Sequence, residues 1–394
     1  MDRRKLTTIN KSENARITRD YYLYDKFTTP RSAGAVNNTP VDGVGGLRNA
    51  TDTGNKMSIS GGVLLSEQNG AGSVTDPILS YSGRARTLGL TMLGTMTAIS
   101  GRARAYWAIA SKNASSEGLL TPVPPSLLMV VSSSSATIGL ATAGVAYQYA
   151  YVLRAAGVFL FIKGETEYPL WTLVWPSLLG TTATLYPTIN AFLGSQSEDN
   201  IRVPKQTYIP VPLQSDGMSA ATTDGLGNPE NNGTAGNAYT DIGTWGVAAG
   251  VRSCSVLGGG GTGSSVLATP TRNVFIEANL TRAAGSVGIR ARQADANNYI
   301  QCVHDGTNVV VSQVVAGSST TLSTTAVAFS AGATMKFAAD ELTYRAFYNN
   351  TAAGSGVLPD TTSTNHGLVT NNIGNTFDNL VIWARSGYEE LNYM

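Results

Sequence analysis

Residues 147–162, YQYAYVLRAAGVFLFI, hold two apolar runs hinged on Gly157, and their reading decides the fold class. Tyr147, Tyr149 and Tyr151 recur at every second position, as do Phe159 and Phe161, which is the period of a strand and not of a helix. The stretch predicts a β-hairpin. Outward from it the same style repeats: KMSISGGVLL (56–65), TLGLTMLGTMTAI (87–99), WTLVW (171–175), NVFIEANL (273–280), SVGIRAR (286–292), YIQCV (299–303) and NLVIW (379–383). Gly, Asn, Asp, Ser and Pro separate these runs, while sustained i, i+3, i+4, i+7 spacing is scarce. The expectation is an all-β chain built from short antiparallel strands.

Composition agrees. Charged residues make up 13% of the 394, against a typical value of about 25%, and the 43 glycines supply tight turns. With 27 basic and 26 acidic residues the net charge is +1, so no long-range field draws in nucleic acid or an anionic membrane. Cys254 and Cys302 are too few for a disulfide framework or a tetrahedral zinc site. The longest apolar run, Ala155 to Ile162, is far short of the roughly 18 residues a membrane helix needs, so no membrane insertion is expected. The N-terminal stretch MDRRKLTTINKSENARITRD lacks an apolar signal-peptide core, which points to synthesis and folding in a cytoplasm.

The chain divides into a basic N-terminal arm (1–24), a first β-sandwich domain (25–212), a linker (213–238), a second β-sandwich domain (239–385) and a C-terminal tail (386–394). The linker is placed where apolar residues vanish between Pro212 and Asn237. The arm and the tail are the expected sites of inter-subunit contact. An internal repeat supports two domains. The hairpin from Tyr151 aligns with the one from Tyr299, and each half closes on Asp-Asn and an alternating strand: Asp199-Asn200-Ile201 and Asp378-Asn379-Leu380. Tyr151 lies 48 residues before Asp199 and Tyr299 lies 79 before Asp378, so the second copy must hold an extra hairpin or long loop.

Asp25-Lys26-Phe27, the Tyr-strand-Gly-strand hairpin and Phe377-Asp-Asn-Leu-Val-Ile-Trp383 together resemble the concanavalin-like, laminin-G-like jelly rolls. In the second domain Tyr239 to Trp245 stands where the first has Asp-x-Phe, and Tyr168 to Val203 resembles the closing part of phage-type sandwich domains. Such modules recur in bacteriophage virion proteins and in secreted bacterial proteins, as carbohydrate binders, calcium-dependent adhesion modules and architectural parts. One fold hosts many functions.

Asp199, Asn200, Asp378 and Asn379 place a carboxylate and an amide at a strand entry. They could hold Ca²⁺, which takes six to eight oxygen ligands, or could cap their own turns. No other cofactor is expected. Tyr147, Tyr149, Tyr151, Trp171 and Trp175 would stack on a glycan or a partner if their sheet face is open, and would be core if it is closed. Gly258 to Gly263 satisfies G-x-G-x-x-G in form, but no helix follows to hold a phosphate. Gly-Arg-Ala-Arg occurs at 83–86 and 101–104, as a small basic patch or a solvated strand face. His304 and His366 fall in no zinc or triad motif, and Glu165 and Glu167 read as a hairpin tip more than as a glycosidase pair.

These features favour a non-enzymatic structural protein of a bacteriophage virion, on the tail or capsid surface, contacting other virion proteins and forming a homo-oligomer. The alternative is a carbohydrate-binding or adhesion module that recognises a host surface glycan. A weaker alternative is a polysaccharide-degrading enzyme.

Overall fold

The computed structural model describes residues 20–52, 54–67, 78–81, 91–108, 119–123, 126–131, 134–140, 142–154, 157–164, 167–177, 186–206, 208–218, 231–232, 238–359 and 361–394. Their regular structure is antiparallel β-strand, apart from one 3-10 turn at Glu389–Tyr393. The chain forms two compact units, residues 1–209 with 387–394, and residues 210–386.

In the first unit the predicted hairpin forms between Ala146–Arg154 and Gly157–Gly164, in register from Gln148 opposite Lys163 to Arg154 opposite Gly157. It lies within a 13-stranded sheet whose spine runs Tyr168–Ser177, Gly157–Gly164, Ala146–Arg154, Thr91–Ala108, Tyr186–Pro204, Val63–Glu67 and Met57–Ser60. Tyr21–Asp25, whose first four residues were expected as the end of the arm, is a strand paired with Tyr186–Pro204.

The second unit is a sandwich of a nine-stranded and a seven-stranded sheet. Val274, Ile276, Ala278 and Leu280 alternate inward from one sheet, and Ile289, Ile300, Cys302, Val309, Val311 and Leu368 meet them from the other, all buried. Every second residue joins this core because side chains alternate between the two faces of a strand, and Phe275, Glu277 and Arg290 between them are buried as well. The longer second copy is accounted for by added strands. Ser318–Ala326, Ala333–Asp340, Thr343–Tyr348, Thr351–Val357 and Asn365–Thr370 lie between its hairpin and its closing strand, where the described part of the first copy has Tyr168–Ser177.

The two Asp-Asn pairs have the same backbone geometry. Asn200 and Asn379 take φ of 52° and 51°, left-handed values that Asn tolerates better than most residues. Each pair forms a bulge: Thr95 and Leu93 face Asp199 and Arg202, while Asn279 and Glu277 face Asp378 and Val381. The extra residue turns Ile201 and Leu380, both fully buried, into the core.

Opposite each bulge lies a second repeated device, found in the second unit where the sequence reading had a linker. Asp25 pairs with Ile201, and Asp216 of strand Gln214–Asp216 pairs with Leu380. Two residues after each Asp the chain again turns left-handed, at Phe27 (φ 52°) and Met218 (φ 57°), and its N–H donates back to the Asp carboxylate. Each Asp then takes a buried arginine and a tyrosine. Arg48 donates to Asp25 at 2.7 and 2.5 Å and Tyr81 at 3.1 Å; Arg252 lies 3.7 Å from Asp216 and Tyr239 donates to it at 2.8 Å. Asp216-Gly217-Met218, not Tyr239 to Trp245, therefore opens the second repeat. The expected tail also differs: residues 387–394 pack within the first unit, Tyr388 against Phe161 at 4.8 Å and Asn392 accepting from Trp171 Nε1 at 2.9 Å.

Candidate functional site

The aromatic set singled out from sequence is core. Tyr147, Tyr149, Tyr151, Trp171 and Trp175 are each at most 1% exposed, so none presents an open ring face to a sugar. The three tyrosines sit on the interior strand Ala146–Arg154 and the two tryptophans on the edge strand Tyr168–Ser177, and burial closes all five off from solvent. Tyr147 donates to Glu167 at 2.8 Å, and Tyr149 lies across Gly94, where a Cβ would fall 2.4 Å from its hydroxyl oxygen. Tyr149 and Trp171 do meet Asn200, with Thr95, Gln148 and Arg202, around a cavity of about 120 Å³, smaller than the roughly 300–1,000 Å³ of ordinary ligand pockets. Glu198 beside them is 1% exposed, and burial, with the charge of Asp199 adding, pushes its carboxyl well above the usual range.

Asp199 and Asp378 each accept from the amide of their own Asn, at 2.5 and 2.9 Å. Among the described residues no three His, Cys, Asp or Glu side chains converge as a metal site. The cysteines are buried and unpaired with each other. His366 is fully buried; burial, with Arg292 nearby, holds its imidazole down at about 3. Glu165 and the segment 83–86 lie outside the described residues, as do the side chains of 101–104.

The second unit holds the larger cleft, of about 450 Å³, at one end of its seven-stranded sheet. Its wall comes from Val287–Asp295, Asn298–His304, Asn308–Val315 and the segment after Leu358, through Arg292, Asn298, Tyr299, Gln313, Val314 and Thr361 to Ser363 among others. Two local events build it. A bulge between Ala291 and Asp295, with Arg292 at φ 49°, breaks the strand pairing and carries Arg292 and Ala294 to the rim. Ser363 Oγ and Asn365 Nδ2 then donate to the Gln293 carbonyl at 2.6 and 3.0 Å, fastening the opposite wall.

Behind the cleft runs a ladder of polar side chains on the sheet face away from the core. Ser264 donates to Gln293 Oε1 at 2.9 Å; Arg290 donates to the same oxygen at 3.2 Å and to Gln301 Oε1 at 3.4 Å; Gln301 donates to Ser312 at 3.2 Å. Arg290 is 1% exposed and its guanidinium stacks 3.6 Å from the Tyr299 ring centroid. That stack fixes a half-exposed ring that lines the cleft. Burial brings Arg290 down to about 10, so it stays cationic at neutral pH. The assembly is a fixed aromatic surface with amide and hydroxyl groups around it. None of the described lining residues is a carboxylic acid.

Sequence reading placed Tyr299 in the repeat and Arg290 and Arg292 in a strand, without marking them as a site. Alternation in GIRAR does put both arginines opposite Ile289 and Ala291. What it could not show is the bulge that separates Arg292 from Arg290.

No protein-family model matches the chain, and no curated protein matches it in sequence. Comparison with solved structures gives matches at low identity and low TM-score. The carbohydrate binding module CBM66 from Bacillus subtilis is 13% identical, with 37% of this chain and 92% of that chain covered, at a TM-score of 0.27. A beta-1,3-glucanase from Mycobacterium marinum is 12% identical over 46% and 98%, at 0.31. A mutant of the GH43 protein BlXynB from Bacillus licheniformis is 11% identical over 90% and 88%, at 0.30.

Proposed function

We propose that this chain is a non-catalytic glycan-binding protein whose ligand occupies the cleft beside Tyr299. The observation that carries the reading is the fixed half-exposed ring of Tyr299 in a cleft of about 450 Å³ walled by Asn298, Gln313, Thr361, Thr362 and Ser363. A sugar offers an apolar C–H face and a rim of hydroxyls. A tyrosine matches the first, and amide and hydroxyl side chains, each able to donate and accept, match the second. Glycoside hydrolysis needs two carboxyl groups at set separation, and the described lining supplies none. This supports a reading of binding without turnover. A glycan array probed with the full chain should give hits that Tyr299→Ala abolishes while the melting temperature is kept. An array with no hits, or hits that survive Tyr299→Ala, contradicts the reading.

The resemblance carried by Asp25-Lys26-Phe27 and Phe377 to Trp383 supports a setting for this activity, a homo-oligomer on the surface of a bacteriophage particle, where a glycan cleft would meet the host. Mass spectrometry of purified particles tests the setting alone. Recovery of the chain only outside particles removes it and leaves the binding reading intact.

A further inference from the structure

The cleft beside Tyr299 has two kinds of wall. Amide and hydroxyl side chains make one, and Ala294, Val314, Val315 and Pro359 make the other, which is aliphatic. Val315 is 51% exposed. A lone exposed aliphatic side chain is ordinary. Several gathered in one concave wall beside an aromatic ring are a different matter: an apolar group seated against them takes apolar surface on both sides out of water.

The aliphatic wall is held in place. Val314 stands opposite Tyr299 across the strand pair Asn298–His304 and Asn308–Val315, and Val315 leads into the tight turn Ala316-Gly317, with φ of 50° and 80°. Two hydrogen bonds fasten this turn to the neighbouring one: Ala316 N–H donates to Asn298 Oδ1 and Gly317 N–H to the Asn297 carbonyl, both at 3.0 Å. Asn298 Nδ2 donates in turn to Asp295 at 3.0 and 2.9 Å. The bulged strand, the turn at 297–298 and the Val315 tip are thus tied together. A wall already ordered in the free chain loses little entropy when a ligand meets it.

A sugar stacked on Tyr299 turns its C–H face to the ring and its substituents to the walls. A hydroxyl pressed on valine or proline gives up water and receives no partner in return. A methyl group at the same place is stabilised. Two sugar modifications put one at the ring's edge: an acetamido group, and a 6-deoxy position, where methyl replaces hydroxymethyl.

We infer that the cleft selects sugars that carry a methyl group, as an acetamido or a 6-deoxy substituent, over their hydroxylated counterparts, an inference that rests on the glycan-binding reading and adds the substituent the aliphatic wall meets. The full chain is probed on an array that holds each sugar in both forms, and the strongest hit and its hydroxylated counterpart are then titrated by calorimetry. The hits should carry an acetamido or a 6-deoxy group, and which of the two they carry identifies the source of the methyl. The methyl-bearing form should bind about four-fold tighter or more, the ratio that burying one methyl group gives. Val315→Thr keeps the side chain's shape, exchanges one methyl for a hydroxyl and leaves Tyr299 and Arg290 in the sequence. It should shrink the ratio by weakening the methyl-bearing form alone. Val256→Thr, at a similarly exposed valine outside the cleft's lining, should leave the ratio unchanged. Melting curves check that both variants fold. Hits without a methyl substituent, equal affinity for the two forms, or a ratio that Val315→Thr leaves intact overturns the inference and keeps the glycan reading. An array free of hits overturns both.

Discussion

Removing the carboxylate of Asp25 should unfasten the first unit far more than its single position suggests. Asp25 is fully buried and accepts from Arg48 Nε and Nη2, the Tyr81 hydroxyl and the backbone N–H groups of Phe27 and Asp42. Asp25→Ala leaves the Arg48 guanidinium, also fully buried, with Asp42 at 2.8 Å as its remaining acid. Breaking a buried pair from one side costs about 3–5 kcal/mol, and Asp42 should hold the loss near the lower end. For a unit of roughly 200 residues each kcal/mol moves Tm by about 2–4 °C, so a fall of roughly 6–12 °C is expected. Asp25→Asn, which keeps acceptor capacity on one oxygen, should lose less. Calorimetry gives the shift, and hydrogen exchange read by mass spectrometry locates it. Amides of Tyr21–Asp25 and residues 201–204 should exchange faster while those of Val274–Thr281 stay protected. A Tm within about 2 °C of the parent, or loss of protection in both units alike, would refute the reasoning.

Other consequences follow from buried titratable groups and from the returning segment. His366 is neutral when folded and its imidazole is held at about 3, against an ordinary 6.5, so its contribution is present above 6.5 and lost as pH falls toward 3. The Tm of the second unit should drop over that window, and His366→Asn should flatten the drop. Glu198 has the opposite sign: its pKa is raised from 4.5 by burial, so stability present at acid pH is lost as pH climbs through its folded value. Glu198→Gln should therefore raise the Tm of the first unit at pH 8 and leave it nearly unchanged at pH 4, as thermal melts at the two pH values will show. Deleting residues 387–394 strips Asn392 from the Trp171 indole and Tyr388 from Phe161. Trp171 fluorescence should shift to the red and the first unit should melt earlier; an unchanged emission maximum and Tm would count against the packing described.

The all-β class and the repeat were legible because alternation has period two and glycine breaks it, as in residues 147–162. The bulges were legible only as chemistry. Asp-Asn was read as a turn or an ion site, and the left-handed φ of Asn200 and Asn379 adds a bulge that neither reading named. The second repeat's opening was missed because its core partner at the Phe27 position is Met218, set in a polar, Gly-rich stretch that reads as linker; only pairing with Leu380, 164 residues later, identifies it. The aromatic ladder left the open and the core reading side by side for a physical reason. Every second residue marks a face, but alternation does not say whether that face meets water. The cleft brings residues 292–299 together with Pro359 and residues 361–363, distant in sequence, so only three-dimensional packing reveals it.

The most direct test of the account is hydrogen exchange of the full chain with and without a saturating glycan found on the array. Protection should rise at residues 290–299, 313–315 and 361–363 and stay unchanged around Gln148, Trp171 and Arg202 of the first unit. Protection confined to that smaller cavity, with the Tyr299 cleft unaffected, would contradict it.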